Sequence, residues 1–221
     1  MKRIILFLFI VSTARISVAQ ESTTAKPLDP AFVRIMETNI HALDTASSND
    51  SKMQIANNFE RIANTAKTQW QPFYYAGLCY TGMALQVKDK SLTDNLADKA
   101  EAFLNKAEAL APGNSEVSTV QGMVANARIL VDPPGRYREL GVVAATWFSK
   151  AHEQDPTNPR PYFVEARTKM FTPAMLGGGA DAALPILETA IKKFSAFQPA
   201  NSIAPNWGGK DAEKLMAQLK K

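Results

Sequence analysis

Two stretches of the chain can be laid over one another: ADKAEAFLNKAEALAPGN, residues 97–114, and GVVAATWFSKAHEQDPTN, residues 141–158. Ala100, Leu104, Ala107 and Pro112 of the first coincide with Ala144, Phe148, Ala151 and Pro156 of the second, each 44 positions on. Small residues seven apart share one face of a helix. A large apolar residue between them fills the space that this face leaves, and the proline ends the helix. An internal period of this length marks stacked supersecondary units. One such unit cannot bury its apolar face alone, whereas stacked neighbours bury a continuous core.

The pattern extends on both sides. Gly77 and Gly122 lie 45 apart, and Ala166 lies 44 beyond Gly122. Ala56 and Ala63 precede Ala100 and Ala107 by 44, while Ala183, Leu187 and Ala190 follow Ala144, Phe148 and Ala151 by 39. Asp29-Pro30 starts a helix with an N-cap acceptor and a proline in the first turn. Apolar residues then recur at helical spacing from Phe32 to Leu43 and from Met53 to Ala66. Further helices are predicted near 70–86, 94–110, 114–131, 137–154, 159–171, 180–196 and 210–220. The breaks fall at Lys88–Ser91, Pro112-Gly113, Asp132–Gly135, Pro156–Pro159, Thr172–Gly179 and Gln198–Gly209. No segment alternates with a period of two, so the chain reads as all-α.

These residues resemble the tetratricopeptide repeat. Phe73, Gly77 and Tyr80 match the large, small and aromatic positions of its first helix. Ala100, Leu104, Ala107 and Pro112 match those of its second. The next unit offers Gly122, Ala144, Phe148, Ala151 and Pro156. The third offers Tyr162, Ala166, Ala183, Leu187 and Ala190, with Ser195 where the family has proline. The earliest second helix has Ala56 and Ala63 but Glu60 at the large position, with Phe59 beside it. The family's unit is about 34 residues. Here the first-helix small residue and the second-helix alanine stand 23, 22 and 17 apart in successive units, so helices or loops within each hairpin are longer. The resemblance covers residues 31–196. It implies a right-handed helical-hairpin repeat, a TPR-like α-solenoid, with helix 210–220 as a C-terminal cap.

The resemblance also implies a concave groove lined by the first helix of each hairpin. Its positions fall on Gln71, Tyr74 and Leu78, on Thr119, Met123 and Asn126, and on Arg160, Phe163 and Arg167. Gln71, Tyr74, Thr119, Asn126, Arg160, Phe163 and Arg167 are the candidate partner-binding residues. Arg160 and Arg167, seven apart and expected to be exposed, would grip an acidic or C-terminal peptide segment bidentately. Tyr74 and Phe163 would anchor it or belong to the core. The function this suggests is a non-enzymatic protein- or peptide-binding scaffold. The alternative is a small-molecule binder holding its ligand between helices near Tyr74, Tyr75 and Phe163.

The N-terminus reads as a secretory signal peptide over residues 1–19. Met1-Lys2-Arg3 is basic, Ile4–Val11 is apolar and Ser17-Val18-Ala19 is a small-residue cleavage site. Residues 20–28 form a polar, flexible segment, and the repeat domain occupies 29–221. The expected location is the periplasm or the exterior. Cleavage near Ala19-Gln20 removes Lys2, Arg3 and Arg15 and lowers the net charge from +4 to +1, so no electrostatic drive toward nucleic acid is left.

No reactive centre stands out. A single cysteine, Cys79, excludes an internal disulfide, and two histidines leave little for a metal site. His152 lacks the second histidine of H-E-x-x-H and suits a helix C-terminus. There is no G-x-S-x-G and no Walker loop. No catalytic residue, metal or cofactor is therefore expected. The loop DPPGRYR, residues 132–138, is either a rigid turn before a basic helix start or an interface. Gly177–Gly179 is either a hinge or a site of close backbone packing.

Overall fold

The computed structural model describes residues 28–220, so the predicted signal peptide and nearly all of the predicted flexible segment lie outside the described residues. Among the described residues the regular structure is all helical, with no strand. Its helices are α1 (Pro30–Thr45), α2 (Asn49–Thr65), α3 (Trp70–Gln86), α4 (Thr93–Leu110), α5 (Ser115–Ile129), α6 (Pro133–Gln154), α7 (Pro159–Phe171), α8 (Ala180–Ala196) and α9 (Gly209–Leu219).

Local chemistry sets the starts. The side chain of Asp29 accepts from the Ala31 N–H, and Ser48 and Ser51 form a reciprocal capping box. Asn114, Asp132 and Asn158 cap α5, α6 and α7. The one boundary displaced by several residues is that of α6. Pro133 and Pro134 read as part of a break, yet both stand in the first turn, where a missing N–H costs nothing and φ is already helical. The Asp132 carboxylate accepts from the Gly135 N–H, so DPPGRYR caps and begins α6. Arg136 is held there by Asp94 at 2.8 and 2.9 Å.

Consecutive helices pack as hairpins, α3 on α4, α5 on α6 and α7 on α8. The repeat works as its spacing predicts. A Cβ added to Gly77 would stand 2.7 Å from Leu104 Cγ, and one added to Gly122 would run into the Phe148 ring. Each glycine is the space its partner's side chain fills. Ala100, Leu104 and Ala107 are buried, as are Ala144, Phe148 and Ala151, then Ala183, Leu187 and Ala190. In the earliest unit Phe59, not Glu60, takes the core position, and Glu60 accepts from the Tyr80 hydroxyl. The added length sits in the α3–α4 linker in one hairpin and in the 22 residues of α6 in the next.

The triple glycine combines two left-handed turn positions with one site of close backbone packing. Gly177 and Gly179 have φ of 77° and 99°, which side chains rarely adopt, and a Cβ on Gly178 would collide with the Thr172 backbone.

α3 and α5 are buried almost all round, whereas α4, α6 and α8 bury one stripe. A helix is buried on every side only if something covers its outer face. α5 is enclosed by α3, α4, α6 and α7, whereas for α3 and α7 part of the cover is the chain's own C-terminal segment.

Candidate functional site

The irregular segment 197–208 lies against α3 and α7. Tyr75 donates its hydroxyl to the Ile203 carbonyl at 3.2 Å, and Trp207 donates its indole N–H to the Tyr74 hydroxyl at 2.8 Å. Arg160 donates to the Pro205 carbonyl and, at 2.8 Å, to Glu116. Its guanidinium also lies over the Phe197 and Trp207 rings. Ile203 is fully enclosed, and Gly208 lies against Phe163 and Phe194. The segment turns at 201–204, where the Ala204 N–H donates to the Asn201 carbonyl, and Arg160, a residue the sequence assigns to partner binding, takes its Pro205 carbonyl.

This corrects the expectation of an open groove. Arg160 is 0% exposed, not solvent-facing: its charge is met by Glu116 and its Nη donors by Pro205 and Asn158, while its buried Nε has no partner among the described residues. Gln71, Tyr74, Thr119 and Phe163 are buried too. Thr119 spends its hydroxyl on the Ser115 carbonyl of its own helix. Asn126, half-buried, donates to Thr168 at 2.8 Å. Arg167 is half-buried above Phe163, where burial lowers its pKa against the pull of Asp211. A peptide reaching Arg160 would have to displace segment 197–208. Tyr74, Tyr75 and Phe163, the expected walls of a small-molecule site, are likewise core under that segment.

Burial pushes the Glu116 carboxyl up to about 7, although Arg160 pulls it down. Tyr74 is raised well above its ordinary value, by burial first and by Glu116 second. Burial pushes the Cys79 thiol up to about 12, which leaves no thiolate for chemistry. His152 lies 3.1 Å from Glu165 and packs on Tyr162. Among the described residues no cluster of three or more His, Cys, Asp or Glu side chains is placed to hold a metal ion.

The open cavity lies elsewhere. α1 touches α2 and α3 far less extensively than α2 touches α3 or the helices of the later hairpins touch their partners. A groove of about 970 Å³ opens along it, lined by Phe32, Ile35 and Asn39 of α1 and by Asn58, Arg61, Ile62 and Thr65 of α2. Ala66, Thr68 and Gln69 of the linker to α3 also line it. Ile35 is 48% exposed and so offers apolar surface to the groove. The helical periodicity of Phe32 and Ile35 was legible, but it places them on a core face. That this face stays partly uncovered depends on how α1 packs.

No protein-family model and no curated protein matches the chain. Among solved structures it is similar to the HusA haemophore from Porphyromonas gingivalis, with 34% sequence identity and a TM-score of 0.78 over 86% of this chain and 94% of that one. The chain belongs to the HusA haemophore family. The likeness to tetratricopeptide repeats is one of residue pattern, whereas membership in the HusA family rests on identity and fold over almost the whole relative. Its HusA-like fold includes no helix, among the described residues, that is long and apolar enough to cross a membrane.

Proposed function

We propose that this protein is an exported, non-enzymatic binder of a flat, apolar tetrapyrrole of the haem class, held in the α1–α2 groove. The observation that carries this reading is the relationship to the HusA haemophore over 94% of that chain. It favours the small-molecule alternative over the peptide scaffold. The signal-like sequence of Met1–Ala19 supports export.

The groove suits such a ligand. Its 970 Å³ lies at the upper end of the roughly 300–1,000 Å³ common to small-molecule sites. Phe32, Ile35 and Ile62 offer apolar surface to a ring face, and Asn39, Asn58 and Arg61 offer polar atoms to its edge. Retention would come from contact area, at about 25 cal/mol per Å² of apolar surface removed from water.

The test is a Soret-band titration of the mature protein with ferric haem. Saturable 1:1 binding is expected, weakened about tenfold or more by Ile35→Glu, which sets a charge against the ring. Absence of saturable binding refutes the reading. Full-strength binding by Ile35→Glu with unchanged helicity puts the ligand outside this groove.

A further inference from the structure

Three side chains form a ladder across the α1–α2 groove. Arg61 donates from Nη2 to Asn58 Oδ1 at 2.7 Å. Asn58 donates from Nδ2 to Asn39 Oδ1 at 2.9 Å, and Asn39 donates from Nδ2 to the Ile35 carbonyl at 2.8 Å. Every link points the same way, from the guanidinium inward to a backbone carbonyl. A guanidinium has five N–H donors, and this ladder engages one of them.

No ion pair of Arg61 occurs among the described residues. The carboxylate that shares the groove, Asp29, accepts from the Ala31 N–H at 3.0 Å as the cap of α1. The groove thus combines an apolar wall with a cation whose orientation is set by a hydrogen-bonded second residue and whose remaining donors are available to a ligand.

We infer that Arg61 is a specificity-determining residue that clamps a carboxylate of the ligand, so that the groove selects flat apolar rings bearing an acidic substituent. This rests on the reading that the groove binds a tetrapyrrole. The apolar wall holds the ring whatever its substituents. Arg61 discriminates between rings that carry a carboxylate and rings that do not, because a charged carboxylate can take both arms of the guanidinium fork in charge-assisted hydrogen bonds, whereas a neutral ester offers one weaker acceptor.

The experiment compares protoporphyrin IX with its dimethyl ester, in one detergent-containing buffer, on the mature wild type and on Arg61→Gln and Arg61→Lys. The ester is the more apolar of the two and partitions better into any greasy slot. The informative quantity is therefore the acid-over-ester preference of wild type divided by that of each variant. We expect Arg61→Gln to reduce the preference about tenfold, chiefly by weakening the acid. Arg61→Lys, which keeps the charge but loses the fork, should fall between. Arg61 is exposed, so helicity should be unchanged. Equal preference in wild type and both variants overturns the clamp and leaves tetrapyrrole binding standing. Failure of wild type to bind either porphyrin overturns the binding reading and the clamp together.

Discussion

Trp207 donates its indole N–H to the hydroxyl of Tyr74 at 2.8 Å across 133 residues of sequence. That bond is the outer end of a buried chain. Tyr74 donates to Glu116 at 3.4 Å, Glu116 accepts from Arg160, and Arg160 donates to Pro205 two residues before Trp207. The network joins α3, α5, α7 and the C-terminal segment, so the first-helix face and its cover stabilise one another.

Removing the cation should be costly and pH-dependent. Arg160→Leu leaves Glu116 enclosed without its counter-charge, a loss of about 3–5 kcal/mol for a broken buried pair. Because Glu116 can take up a proton, the loss should be smaller at pH 5 than at pH 8. Urea unfolding at the two pH values checks this, and an equal loss at both would contradict it.

Glu116 itself makes a signed prediction. Its carboxyl titrates at about 7 in the folded protein against an ordinary value of 4.5. Between those values the folded state holds a proton that the unfolded state has released. Stability from this group is therefore fully present below about pH 4.5 and lost as pH rises to about 7, by on the order of a few kcal/mol. Glu116→Gln should flatten that slope. Parallel slopes for wild type and variant between pH 4.5 and 7 would rule out the shift.

Ile203 tests whether segment 197–208 is structural. It is fully enclosed although it belongs to no helix. Ile203→Ala should cost about 2–5 kcal/mol, as in a helical core. A loss under about 0.5 kcal/mol would mean the segment is only loosely seated.

The glycines of the repeat separate crowding from propensity. Gly122→Ala drives a methyl group into the Phe148 ring and should destabilise by about 1–3 kcal/mol. Gly82, also inside a helix, has nothing within 4 Å of an added Cβ, so Gly82→Ala should stabilise by about 0.5–1 kcal/mol. Thermal melts of the two variants should move in opposite directions.

Much of the fold was legible because it is local. Caps such as Asp29, Ser48 and Asn158 act within three residues, and the Gly77–Leu104 and Gly122–Phe148 pairs repeat at a fixed period. The candidate site was not legible in the same way. Arg160 reads as a surface cation, since nothing within its own helix reveals Glu116 one repeat earlier or the Pro205 carbonyl 45 residues later. Phe32 and Ile35 read as core because their spacing is that of a buried face.

Sequence alone determined the all-helical hairpin repeat, its units and their small-against-large packing, because helical periodicity, capping and steric fit between small and large side chains are short-range. Tertiary structure decided which faces stay open. An irregular segment, 197–208, carries no periodicity to announce where it lies, yet its carbonyls and Ile203 close the first-helix face. The sparse packing of α1 leaves the groove beside Arg61 open, since whether an apolar face is covered depends on what the rest of the chain has left to cover it.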